Sequence, residues 1–145
     1  MSLKKLIVIQ LIILTIGLSI GVTSGGVLSR DQQAIDIKHY DLRIKVDTKR
    51  KMISGYVDIK MRILDKIRFI ELDLIKQFFI SKILIDSVSM PFKHQQNKIF
   101  IAAQEIKANT TTTIRVVYKG KPPRAEKPPW SGGFTWEKSN DGYPW

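Results

Sequence analysis

From Ile37 to Tyr118 the apolar positions of this chain recur every second residue, the period of a β-strand with one buried face. In "HYDLRIKVD", Tyr40, Leu42, Ile44 and Val46 alternate with His39, Asp41, Arg43, Lys45 and Asp47. After a polar turn, "MISGYVDIKMRIL" puts Ile53, Val57, Ile59, Met61 and Ile63 on one face and Ser54, Tyr56, Asp58, Lys60 and Arg62 on the other. The short connection predicts an antiparallel hairpin, with Gly55 as a bulge or a point of close backbone approach. "RFIELDL" alternates Ile70, Leu72 and Leu74 against Glu71 and Asp73. "FFISKILIDSVSM" breaks its alternation around Ser81 and Lys82, which predicts a bulge there or two short pieces. "KIFIA" and "TTTIRVVYKG" close the series, and "PFKHQQNK" between strands reads as a turn. Nowhere does a period of 3.6 hold for three turns. The expected fold is an all-β antiparallel sandwich or saddle with very little helix.

The ends of the chain depart from this pattern. Lys4 and Lys5 precede the uncharged run "LIVIQLIILTIGLSIGV" and the small residues "TSGG", the order of a secretory signal peptide. Residues 1–24 are therefore expected to be a signal cleaved after Ser24, or else an N-terminal membrane anchor. Residues 25–36 follow as a linker, and the domain is expected over 37–145. The chain is thus expected to be exported, in the periplasm, secreted or tethered by its N-terminal helix. It nonetheless has no cysteine, so no disulfide framework or thiolate-held metal supports it.

The formal net charge is +11 and the pI about 10.0. This raises the possibility of nucleic acid as a partner. The basic residues are scattered singly among carboxylates, however, and no aromatic residues are expected to interleave with a basic stripe as a stacking platform. No nucleic-acid partner is expected. The three aspartates Asp41, Asp58 and Asp73 read as surface groups paired across strands with lysine or arginine.

Candidate chemistry is sparse. His39 and His94 are the two histidines. There is no helical HExxH pair, no nucleophile elbow and no phosphate-cradling glycine loop. No catalytic, cofactor-binding or metal-ligating residue is assigned. The one unusual segment is the tail, "KPPWSGGFTWEKSNDGYPW", which holds all three tryptophans. Trp130, Phe134, Trp136, Tyr143 and Trp145 form either an aromatic shelf for a glycan or peptide, or a loop packed back on the sandwich.

The order of these segments resembles the N-terminal domain of the M1 family of zinc aminopeptidases, the aminopeptidase N-like proteins. The resemblance runs from "HYDLRIKVD" and "GYVDIKMRI" through "IELDL" and "TTIRVVYKGKP" to "PPWSGGFTWEKSNDGYPW", roughly Ile37 to Trp145. The tail is its most specific part. It implies a β-sandwich that precedes a catalytic domain, where two histidines of HExxH and a later glutamate hold zinc and a GxMEN loop grips the substrate's amino terminus. None of those motifs stands in this sequence. The chain is then expected to be a non-catalytic fragment, without zinc of its own, whose partner is the missing catalytic domain. Such a sandwich, lacking its last strands, is expected to leave an open edge and an uncovered apolar face, and to be poorly stable or to associate. The alternatives are a secreted binding module that uses the aromatic tail, and an interaction protein that completes its edge with a partner strand.

Overall fold

The computed structural model describes residues 27–128 and 132–144. Ser29 caps a short helix, α1 (Arg30–Gln33), through a reciprocal capping box. Its Oγ accepts from the Gln32 backbone N–H at 3.1 Å, and Gln32 Oε1 accepts from the Ser29 N–H at 3.0 Å. Eight strands follow: β1 (Ile35–Asp47), β2 (Met52–Ile63), β3 (Phe69–Asp73), β4 (Phe78–Ile85), β5 (Val88–Ser89), β6 (Phe92–Gln95), β7 (Lys98–Ala102) and β8 (Thr111–Gly120). β1 begins at Ile35, so the stretch read as linker through residue 36 already carries the cap, α1 and the first strand residues. The hydrophobic N-terminal segment lies outside the described residues. Among those described, no helix is long and apolar enough to cross a membrane.

Every pairing among these strands is antiparallel, and two sheets form, one ordered β1-β2-β8-β4-β5 and the other β3-β7-β6. β8 is last among the strands yet sits between β2 and β4. The irregular alternation at Ser81 and Lys82 is a register shift against β8 between Ile80 and Lys82. Gly55 causes no such shift. It faces Ile44 in an unbroken ladder, and a Cβ there would lie 1.8 Å from the Arg43 carbonyl oxygen. It is a close-approach glycine, and no bulge forms at it.

"PFKHQQNK" is a correction to the sequence reading. It forms β6 and a two-residue hairpin into β7, with Gln96 and Asn97 at φ 51° and 62°. Both central residues adopt the left-handed region, which Asn-Gly or Asp-Gly would have announced and Gln-Asn does not. His94 is structural within it: its Nε2 lies 2.9 Å from the Leu74 carbonyl oxygen.

The core is built mainly from alternating isoleucine and valine positions of both sheets, joined by Met61 of β2 and by Ile67 of the β2–β3 connection. Met61, Ile63, Ile67, Ile70, Ile83, Ile99, Ile101, Ile114 and Val116 are almost solvent-free. Thr112 is the buried polar exception, and its Oγ1 donates to Asp86 Oδ2 at 2.7 Å. The five-stranded sheet is wider than the three-stranded sheet opposite it. β1 carries the right pattern for burial and yet is largely uncovered: Tyr40, Leu42, Ile44 and Val46 are 53, 54, 46 and 49% exposed.

Candidate functional site

Three surfaces carry chemistry. The first is an apolar groove of about 500 Å³ between the overhanging β1 and the end of β3. Ile37, Tyr40 and Leu42 form one wall, Leu72 and Leu74 the other, and Val57, Ile59 and Tyr118 the floor. Tyr118 stands edge-on to Phe78 at 5.6 Å, and burial raises its phenol above the usual tyrosine range.

The second is the outer, polar face of the larger sheet. β2 and β8 pair so that Asp58 stands directly opposite Arg115. Arg115 Nε and one Nη donate to the two carboxylate oxygens at 2.6 and 2.5 Å, a bidentate fork. The same guanidinium lies 4.1 Å from the centroid of Tyr56, two residues along β2. The hydrogen bonds from Arg115 hold the Asp58 carboxyl below its ordinary value, against the opposing effect of burial. They likewise hold the Arg115 guanidinium above its own. One strand further on, Lys119 lies over Phe79 at 5.5 Å. Aromatic and basic side chains therefore do interleave on this face. Strand pairing creates the arrangement from residues far apart in the chain, so it was not visible along the sequence.

Asp73 pairs across strands as expected, with Lys98 at 3.1 Å, but Asp41 does not: it pairs with Arg43 at 3.2 Å. The Asp41 partner lies on the same strand. Among the described residues no group of three or more histidine or acidic side chains could hold a metal ion.

The third surface is the tail. Arg124 and Phe134 form a bridge, with the Phe134 N–H donating to Pro123 O at 2.8 Å and the Ala125 N–H to Phe134 O at 3.0 Å. Gly133 permits this contact, because at φ 131° a Cβ would sit 2.7 Å from Pro123 O. Phe134 and Trp136 stack at 5.3 Å with an interplanar angle of 21°. A second bridge joins Lys138 and Pro144, closed by Ser139 N–H to Tyr143 O at 2.8 Å. Tyr143 is 73% exposed. Trp136, Lys138, Lys49, Lys51 and Arg124 border an open hollow of about 780 Å³ near the β1–β2 turn, together with Glu137, which pairs with Arg124 at 3.4 Å. Phe134 and Trp136 are thus brought together, and Tyr143 stands apart in solvent. Trp130 and Trp145 lie outside the described residues.

No family model matches this sequence, and no curated protein matches it. Solved structures do match its fold. A point mutant of an M1 zinc metallopeptidase from Deinococcus radiodurans aligns over 68% of this chain and 23% of its own, with 21% identity and a TM-score of 0.58. A two-domain M1 zinc metallopeptidase bound to L-tryptophan aligns over 78% of this chain and 28% of its own, at 20% identity and a TM-score of 0.59. Leukotriene A4 hydrolase from Saccharomyces cerevisiae aligns over 77% and 18%, at 18% identity and a TM-score of 0.56. The chain spans less than a third of the length of these proteins. It shares the fold of that portion.

Proposed function

We propose that this chain is a non-catalytic β-sandwich domain of the M1 aminopeptidase type, which shields and helps wall a zinc-bearing catalytic domain. The fold match to M1 zinc metallopeptidases carries this reading. In that setting the parent enzyme removes amino-terminal residues from peptides. This domain contributes surface, and it holds no zinc or other cofactor. Residues 1–24 direct it out of the cytoplasm and are then removed or kept as an anchor. Nucleic acid is not among its partners, because carboxylates pair with the basic face at Asp41 and Asp58.

The test has two arms. The purified 145-residue chain, supplied with zinc and aminoacyl arylamides, is expected to release no product. Chelator-sensitive release would overturn the non-catalytic reading. Residues 27–144 are then grafted in place of the aligned portion of the Deinococcus M1 metallopeptidase. Retained peptidase activity is expected, whereas a folded chimera without activity counts against the domain role.

A second reading rests on the Phe134–Trp136 stack beside a cationic hollow. Under it the tail binds a glycan or a peptide on a secreted module. A tryptophan fluorescence shift with such a ligand, lost in Trp136→Ala, would favour it.

A further inference from the structure

We infer that the outer edge of β1, which no strand among the described residues pairs, pairs with β1 of a second copy, antiparallel, about a two-fold axis at Arg43. This does not depend on the proposed function.

The ladder between β1 and β2 shifts register between Ile37 and His39, and β1 ends at Asp47. The uninterrupted stretch is His39–Asp47, and its midpoint is Arg43. Edge strands are ordinarily guarded by proline, bulges, charged side chains along the edge or charges on the core-facing side. Between His39 and Asp47 there is no proline, bulge or core-facing charge: Asp41, Arg43, Lys45 and Asp47 all stand on the opposite face, and the four core-facing positions are Tyr40, Leu42, Ile44 and Val46. They are half exposed.

Charge on the opposite face, taken together with the apolar positions of the core-facing side, selects the occupant and the register. An antiparallel pair centred on Arg43 sets Asp41 against Lys45 and His39 against Asp47, each twice. It also sets Leu42 against Ile44 and Tyr40 against Val46, each twice. Directly opposed side chains sit with Cβ atoms about 4.5–5.5 Å apart, close enough for both kinds of pair to contribute. One like-charged contact remains, Arg43 against Arg43 on the axis, and each of these is already held by its own Asp41 at 3.2 Å. Centring on Ile44 would oppose Asp41 to Asp47 and Arg43 to Lys45, which is repulsive throughout. A parallel pair would oppose every charge to itself. Centring on Leu42 satisfies Asp41 with Arg43 but leaves Val46 against Lys38 at the bulge. The Arg43 axis alone uses all four apolar residues of each strand. The product is a ten-stranded sheet across two copies, an isologous interface of the usual two-fold kind.

The chain has no cysteine, so a single introduced thiol reports position without ambiguity. In the full 145-residue chain, Arg43→Cys lies on the axis and is expected to form disulfide-linked dimers at least about tenfold faster than Lys45→Cys under mild oxidation. Asp41→Cys mixed with Lys45→Cys is expected to cross-link, and each alone is not. Ile44→Lys, which puts a charge on the core-facing side, is expected to raise the dimer dissociation constant at least about tenfold in sedimentation. Circular dichroism checks that its fold is unchanged, and if Ile44→Lys misfolds the cysteine series decides. Equal cross-linking at all positions would overturn the inference and assign association to another surface, such as residues 6–22. A chain that stays monomeric at about 100 µM would overturn it too.

Discussion

At the scale of residues, the Asp58–Arg115 fork is the feature with a direct pH signature. Its carboxyl is held below the usual value of 3.8, chiefly by the hydrogen bonds from Arg115. The unfolded chain takes up the proton first as pH falls, so the pair's contribution is complete above about pH 5 and is lost as pH drops through the lowered value. Urea unfolding between about pH 5 and 2 should show a shallower acid loss for Asp58→Asn than for the parent chain. An equal slope in both would show that the fork has no linkage to folding. Alternation along the chain had already assigned Asp58 to a polar strand face. It could not pair it with Arg115, because the two lie 57 positions apart and their meeting depends on β8 inserting beside β2.

At the scale of elements, strand type and inward face were legible where alternation of polar and apolar residues held, in β1, β2 and β3, and β7 and β8 were legible as strands, as was the irregularity in β4. β6 was not legible. Its four residues are short for a periodic signal, and its turn uses Gln96 and Asn97 in place of glycine. An apolar face does not imply an equal degree of burial, and two substitutions separate these properties. Ile101, central in the smaller sheet and solvent-free, should cost about 2–5 kcal/mol when replaced by alanine. Leu42 has the same alternation but sits on the overhanging strand, and Leu42→Ala measured at high dilution should cost less than about 1 kcal/mol. Similar losses at both sites would mean that β1 is covered in solution by part of the chain itself.

At the scale of the molecule, two sheets of unequal width explain both the groove and the bare face of β1. Hydrogen exchange follows from that layout. Amides of β8, flanked on both sides, should exchange slowest at every concentration. Amides of β1 should exchange faster at dilution and slow as concentration rises, once a second copy pairs with its edge. Concentration-independent exchange in β1 would show that this edge stays open. The sequence by itself determined an all-β chain, the alternating faces of most strands, and the scarcity of groups suited to catalysis or metal binding. Those are local properties, fixed by side-chain type and a period of two. Tertiary structure decided that β8 lies between β2 and β4, that Arg115 meets Asp58 and Tyr56, and that one strand patterned for a core is left half in solvent. These depend on which strands become neighbours and on how far one sheet extends over the other, and a single-strand pattern is the same whether or not anything lies across from it.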